Sequence, residues 1–171
     1  MQHIETVTVG SGGAASITFS AIPDTFTDLI VVCSLRGNRA DSTDYLPYVK
    51  FNGSTTGYSS RNLTGFGSSA SSNTSLVGLF NAANSTANTF GNMTIYIPNY
   101  RSAVAKSYSV DAVGENNATE AGQRITAALW TGTAAITSIE LDPNFGSLLL
   151  EHSSASLYGI TAGSDGIVAV S

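Results

Sequence analysis

Short runs in which apolar and polar residues alternate, separated by turn-forming residues, limit the fold of this chain more than any other feature. Alternation with a period of two places every second side chain on the same face of a β-strand. The clearest run is residues 28–36, where one side of the pattern consists of Leu29, Val31, Cys33 and Leu35. Because the opposite side of this run is also apolar at its start, we expect this strand to lie in the middle of a sheet.

The same pattern predicts eleven more strands. They are expected at residues 4–9, 15–19, 45–52, 58–63, 75–80, 89–98, 104–113, 123–130, 136–141, 156–161 and 167–170. A helix across residues 118–130 is the alternative for one of them, but Thr126 and Trp130 favour a strand there. Pro47 indicates that the run 45–52 lies at a sheet edge or contains a bulge, because proline cannot donate to a strand ladder.

Glycine and asparagine residues mark the predicted connections. The glycines of residues 10–13 suggest a hairpin between the first two strands, and Asn52-Gly53 is a strong turn dipeptide. Residues 65–75 are rich in glycine and serine and are expected to form a long loop. Short strands with turn signals between them are typical of a β-sandwich or barrel.

Length and composition complete the prediction of fold class. Ser, Thr, Asn and Gly are abundant, and these residues favour turns over helix interiors. A chain of 171 residues fits one domain with one core, and this length suits a jelly roll better than an immunoglobulin-type domain. We therefore expect residues 1–171 to form a single all-β domain, an antiparallel, jelly-roll-like β-sandwich.

The charge content argues against several classes of protein. The chain has 7 Lys and Arg against 12 Asp and Glu, which disfavours a nucleic-acid-binding protein, since such proteins neutralise phosphates with basic patches. No apolar run is long enough for a membrane helix, and the start of the sequence does not resemble a secretory signal. The single cysteine, Cys33, excludes an internal disulfide and is expected to be a buried, small apolar residue.

Residues 62–100 contain no Asp, Glu, Lys, Arg or His, which is unusual for a free surface. Three explanations remain open: core strands joined by polar loops, a surface buried against another subunit, or a surface that contacts polysaccharide. Charges are depleted at the centres of protein interfaces because they are costly to desolvate. Under the second explanation, the apolar anchors of the contact are Phe66, Leu76, Leu79 and Phe80.

Two further groups are candidates for an assembly interface. The first is the N-terminal segment Met1, Gln2, His3 and Ile4. The second is the pair Arg36 and Arg39, which flank a turn after the strongest strand. These arginines belong either to a solvated turn or to a clamp on a carboxylate of a neighbouring subunit.

The sequence offers no catalytic, metal-binding or cofactor-binding motif. The two histidines, His3 and His152, are far apart, and there is no G-x-S-x-G elbow, P-loop or H-E-x-x-H motif. Asp41 and Asp44 share a loop, which is too little for a calcium site. A glycosidase would need two carboxylates that meet in a groove, and the spacing of the acids selects no such pair. We therefore expect no enzyme activity and no cofactor.

Several segments in order resemble a group of small virion structural proteins of tailed bacteriophages. The segments are residues 15–19 followed by 22–23 and 26–30, residues 51–53 followed by 58–59, residues 97–100 with 106–107, residues 135–139 and residues 155–160. The resemblance covers most of the chain and implies a jelly-roll-like protein that decorates a particle without doing chemistry. It also implies assembly in the host cytoplasm, a location in the virion, self-association as a homotrimer, and the major capsid protein or another virion protein as partner.

The alternative within this resemblance is a collar or tail-fibre module that recognises host glycan. Aromatic side chains would then stack on sugar rings, and the candidates are Tyr58, Tyr100 and Trp130, with Phe66 beside them. Core packing is the competing role for these aromatic residues, above all for Trp130.

Overall fold

The computed structural model describes residues 1–41, 43–46, 48–115, 121–143 and 146–162. Within these residues the secondary structure is β-strand, with short turns between the strands. The strands are β1 (Gln2–Thr8), β2 (Ile17–Phe19), β3 (Asp28–Leu35), β4 (Thr43–Leu46), β5 (Val49–Phe51), β6 (Tyr58–Phe66), β7 (Ser69–Asn73), β8 (Gly78–Asn81), β9 (Gly91–Ile97), β10 (Lys106–Glu115), β11 (Ala121–Trp130), β12 (Ile139–Leu141) and β13 (Ser154–Ile160).

One layer of the molecule is a large antiparallel sheet of eight strands. Its order is β1-β13-β3-β9-β10-β11-β6-β7, so β1 and β7 form its two edges. As the sequence predicts, β3 lies inside the sheet, between β13 and β9. The strands β9, β10 and β11 follow one another as a meander, and every pairing in this sheet is antiparallel.

Two small sheets form the second layer. One has the order β2-β12-β5 and the other pairs β4 with β8. β8 packs against β9, β10 and β11, while β2 packs against β1 and β13. The prediction of an all-β, antiparallel sandwich is confirmed, and its layers are unequal: eight strands face five.

One hydrophobic cluster fills the space between the layers. The large sheet contributes Leu29 and Ile95, and the small sheets contribute Phe51 and Leu141, all without exposed surface. Burial alternates strictly along β9 and along most of β10, so each of these strands has an inner and an outer face. Residues 121–130 follow the same alternation, which settles this segment as a strand rather than a helix.

The predicted hairpin at residues 10–13 is wrong. β1 pairs with β13 in the large sheet, whereas β2 pairs with β12 in the small one, so the connection carries the chain between layers. Gly12 and Gly13 both have positive φ angles, and a Cβ on Gly13 would lie 2.8 Å from the carbonyl oxygen of Leu149. Glycine is therefore needed here for a close crossing between layers and not for a two-residue hairpin.

Three other predictions about connections have different outcomes. The run 45–52 contains parts of two strands, β4 and β5, which belong to different small sheets. Pro47 and the predicted strand 167–170 lie outside the described residues. Asn52 and Gly53 form the expected turn, with φ angles of 52° and 69°. Residues 65–75 are not a loop, because they contain the end of β6 and all of β7.

Candidate functional site

The outer face of the large sheet points away from the core, with every second residue of its central strands exposed. A row of paired residues crosses it, and in sheet order this row is Ser72, Leu63, Ile125, Asp111, Thr94 and Val32. Leu63, Ile125 and Val32 are 59%, 56% and 44% exposed, and Tyr96 on the same face is 37% exposed. Leu63 and Ile125 are direct neighbours in this row, whereas Asp111 and Thr94 separate them from Val32.

This face also carries little charge. Its five central strands, β3, β6, β9, β10 and β11, turn Asp28, Arg61, Asp111 and Glu115 outward. Asp28 is occupied locally, because its carboxylate accepts hydrogen bonds from the Tyr96 hydroxyl and the Asn99 amide, each at 2.8 Å. The remaining outward positions are mostly Ser, Thr, Asn, Gln and Ala, which are inexpensive to desolvate compared with charged groups.

The two edges of the large sheet differ in their protection against further strand pairing. β1 has a register shift between His3 and Glu5, and a bulge with charge beside it is a common way of blocking an edge. β7 pairs with β6 through all five of its residues, is exposed along its whole length, and has neither charge nor proline. Its open side presents unpaired backbone groups, which are a template for another strand.

Buried cations explain part of the low surface charge. The side chains of Arg36, Lys106 and Arg124 lie inside the protein, although the chain has only seven Lys and Arg. Lys106 Nζ donates to the carbonyl oxygens of Ser102 and Val104 at 2.7 and 2.5 Å, and burial lowers the pKa of this ammonium group. Backbone carbonyl groups thus replace carboxylates as partners of these cations.

Arg36 belongs to this buried group and is not the interface clamp that its sequence position suggests. Its guanidinium donates to the carbonyl oxygens of Thr86, Thr89 and Ser85 at 2.7, 2.8 and 2.9 Å. The side chain therefore ties the loop between β8 and β9 to the end of β3. Arg39 does lie at the surface, 3.7 Å from the carboxylate of Asp41.

The other predicted interface residues fall into two groups. Leu79 and Phe80 are core residues of β8 without exposed surface, so a partner cannot reach them. The accessible ones are Met1, which is 69% exposed, with Gln2 and His3 also exposed and Ile4, Phe66 and Leu76 half-buried. Within the uncharged segment 62–100, β8 is a core strand, as the first explanation expects, whereas β7 is exposed along its whole length.

Two of the three aromatic residues predicted to contact glycan are buried in the core. Tyr100 is fully buried and its hydroxyl donates to the carbonyl oxygen of Pro23, while Trp130 is buried and packs edge-on against Phe51. Tyr58 is half-buried, and its ring stacks between Tyr48 at 4.7 Å and Trp130 at 6.3 Å. Only Tyr58 of these three borders an accessible space.

That space is a cavity of about 240 Å³ between the two layers, near the start of β6. Its lining residues are Tyr48, Tyr58, Ser59, Ser60, Thr74, Ser75, Leu76, Val77 and Tyr108. Sequence reasoning missed it because its residues come from four separate segments. The Tyr48–Tyr58 spacing and the Ser/Thr run at residues 74–75 would have been the only signals, and both are weak.

Burial raises the pKa of the two tyrosines deepest in this cavity. For Tyr58 the hydrogen bond from the Phe51 amide opposes the effect of burial, and for Tyr108 the polar backbone of Val49 opposes it only in part. Both phenols therefore remain protonated at neutral pH and act as neutral hydrogen-bonding groups.

Among the described residues, no group of three or more His, Cys, Asp or Glu side chains is placed to bind a metal ion. The same part of the chain contains no helix that could serve as a membrane span. Comparison with known proteins returned no match, whether to a protein-family model, to a curated protein sequence or to a solved structure.

Proposed function

We propose that this chain is a non-catalytic structural protein of a tailed-phage virion, most simply a capsid decoration or cement subunit. It would bind copies of itself as a homotrimer and bridge neighbouring molecules of the major capsid protein or another virion protein. The observation that carries this proposal is the weakly charged outer face of the large sheet, which ends at the unprotected edge strand β7. The sequence resemblance to small phage virion proteins supports the same conclusion.

The surface has the properties that repeated, permanent contacts require. Burying a fully exposed Leu or Ile side chain contributes about 1.5–3 kcal/mol, so Leu63 and Ile125, each a little over half exposed, would contribute about 1 kcal/mol apiece. A stable contact needs about 1,600 Å² of buried area, and many such contacts on one particle add their effects. The few charges outward on this face keep the desolvation cost of such contacts low.

Two charge-introducing variants test this surface. Leu63→Arg places a charge on the outer face beside Ile125, and Ser72→Lys places one on β7, next to Leu63 in the register. Both positions are exposed, so the fold is expected to persist. Val104→Arg is the matched control, because Val104 is 57% exposed but lies in the connection between β9 and β10.

The measurement is the mass in solution by light scattering, with and without expanded empty capsids. We expect the unaltered chain to have three times the monomer mass of 17.6 kDa and to bind capsids at fixed stoichiometry. Leu63→Arg and Ser72→Lys should lower both the mass in solution and the amount bound to capsids, and Val104→Arg should lower neither. An unaltered chain that stays monomeric and ignores capsids would contradict the proposal.

A further inference from the structure

The backbone groups that β7 leaves unpaired can be assigned residue by residue. Opposite residues of antiparallel strands alternate between pairs that exchange hydrogen bonds and pairs that do not. At one end of the ladder between β6 and β11, the Thr131 amide donates to the carbonyl oxygen of Gly57 at 2.8 Å, and at the other end the Gly67 amide donates to that of Ala121 at 3.3 Å. Odd-numbered residues of β6 therefore bond to β11, and even-numbered residues direct their backbone groups towards β7.

The register between β6 and β7 carries this alternation to the edge of the sheet. Even-numbered residues of β6 lie opposite odd-numbered residues of β7, as in the pair Thr64 and Ser71. The N–H and C=O groups of Ala70 and Ser72 therefore point away from β6. No strand in the part of the chain that the structure describes pairs with this side of β7, so these two residues present a row of free backbone donors and acceptors.

The chain that follows β7 is bound to β6 and leaves β7 exposed. The Ser60 hydroxyl donates to the carbonyl oxygen of Thr74 at 3.2 Å. The Asn62 side chain donates to the carbonyl oxygens of Ser75 and Leu76 at 2.7 and 3.1 Å. Because Asn62 is buried, these bonds draw the chain towards the inner side of β6 and away from the free edge. An edge that is fixed in advance lowers the entropic cost of adding a strand.

A second copy of this chain does not suit this edge. Pairing of β7 with another β7 would relate two copies by a twofold axis, which does not build the proposed trimer. The other edge of the sheet, β1, is shifted in register next to Glu5, and pairing it with β7 would place this carboxylate beside an uncharged strand. The edge is therefore suited to a segment of a different protein.

The composition of β7 defines the segment that it can accept. Its five residues are Ser, Ala and Asn, and they lie in the segment 62–100 without charge or histidine. A charged strand paired with β7 would lose hydration without gaining a counter-charge. Building on the structural role proposed above, we infer that β7 accepts an extended, uncharged segment of a neighbouring virion protein as an added antiparallel strand. Ala70 and Ser72 hold this segment by backbone hydrogen bonds, in the mode known as β-augmentation.

A proline on the free side of β7 tests this inference. Ala70→Pro removes one outward donor and keeps the ladder between β6 and β7, because the Ala70 amide takes no part in that ladder. Proline is tolerated on a sheet edge when its nitrogen faces away from the neighbouring strand. Ala70→Thr is the matched control, since threonine keeps the N–H group and favours strands.

Both variants should keep the mass of three copies in light scattering, because neither changes the charge of the outer face. On expanded empty capsids, Ala70→Pro should bind about tenfold more weakly than Ala70→Thr, the effect of losing one hydrogen bond and leaving its acceptor unpaired. If the unaltered chain binds capsids and Ala70→Pro binds them as well as Ala70→Thr does, the inference fails and the proposed function stands.

Hydrogen–deuterium exchange of single amides reads the edge directly. In the free chain, the amides of Ala70 and Ser72 should exchange rapidly, whereas the Ser71 amide is protected by its pairing with β6. On capsids, the exchange of Ala70 and Ser72 should slow by at least about tenfold. Protection of both amides in the free chain would show that a second copy or another part of the chain already occupies the edge, and this overturns the inference.

A peptide titration separates this inference from the proposed function. The probe is a capped peptide of alternating threonine and leucine, and the NMR signal of the Ser72 amide reports its binding. We expect a saturable shift of this signal at millimolar peptide in Ala70→Thr and a much weaker shift in Ala70→Pro. If the unaltered chain ignores capsids, the proposed function fails and this titration decides the inference, which the absence of any shift would refute.

Discussion

Replacing Arg36 tests whether backbone carbonyl groups alone can stabilise a buried cation in this fold. The guanidinium makes three hydrogen bonds of less than 3 Å to one loop, and two weaker contacts reach Thr89 Oγ1 and the Ala83 carbonyl oxygen. Arg36→Met keeps most of the apolar stem and removes all of these hydrogen bonds, although the Thr86 carbonyl oxygen keeps those it accepts from Thr89. We therefore expect the loop of residues 82–89 to loosen and the sandwich to lose stability.

The size of the effect follows from two opposing contributions. A hydrogen bond to a charged group contributes about 1.5–3 kcal/mol net, so three of them give roughly 5–9 kcal/mol as an upper limit. Removing the cation also relieves a desolvation penalty of several kcal/mol, because Arg36 is only 8% exposed. We expect a net loss of about 3 kcal/mol for Arg36→Met, and about half of that for Arg36→Lys, which keeps the charge but not the planar fork.

The free energy of unfolding from urea denaturation, followed by Trp130 fluorescence, is the appropriate measurement. Arg61→Met is the matched control, since Arg61 is exposed on the outer face and its loss should change stability by less than about 0.5 kcal/mol. An Arg36→Met variant within 1 kcal/mol of the unaltered chain would show that the carbonyl cage does not stabilise the fold. If Arg36→Met and Arg36→Lys lose the same stability, the planar geometry of the guanidinium, and not its charge, stabilises the fold.

Four smaller predictions concern stability and its dependence on pH. Tyr108→Phe should raise the free energy of unfolding by about 1 kcal/mol in urea denaturation, because an unpaired buried hydroxyl is removed. Burial raises the pKa of the Cys33 thiol to about 12. The neutral thiol therefore stabilises the fold fully below about pH 8.5, and this contribution is lost as the pH rises towards 12. In urea denaturation, Cys33→Ala should lack this loss of stability at alkaline pH. Burial also raises the pKa of the Asp44 carboxyl. The protonated carboxyl therefore stabilises the fold at low pH, and this stabilisation is lost as the pH rises through the pKa of the folded state. In thermal denaturation, Asp44→Asn should be more stable than the unaltered chain at pH 7 and no more stable at pH 3. Ala21→Gly should stabilise by about 1 kcal/mol, measured by calorimetry, because Ala21 has a φ angle of 51°.

Strands with one apolar face were predictable from sequence because burial imposes a period of two on them. β9 is the clearest example: Met93, Ile95 and Ile97 point inward and were separable from Thr94 and Tyr96 without any structure. The predicted strand 123–130 corresponds to β11, which begins two residues before the predicted start, at Ala121. Pairing was harder to predict, since nothing local to residues 10–13 reveals that their flanking strands join different layers.

β7 and the cavity beside Tyr58 were not predictable from the sequence pattern. All five residues of β7 are exposed, so no face of the strand is apolar and no periodic signal arises. Arg36 was misplaced because an arginine is expected in solvent unless a carboxylate accompanies it, and here carbonyl groups from residues 83–89 are the partners. Those partners are contributed by the tertiary fold, which composition and spacing do not encode.

The pairing of β1 with β13 has a consequence for synthesis of the protein. β1 is the first of the described strands in chain order, yet its partner β13 is the last of them, and β13 also separates β1 from β3. During translation, the edge of β3 that pairs with β13 therefore stays unpaired until β13 has emerged. Such long-range pairing slows folding and exposes aggregation-prone edges. Slower translation would not help the large sheet to close earlier, because β1 and β3 are joined only through β13.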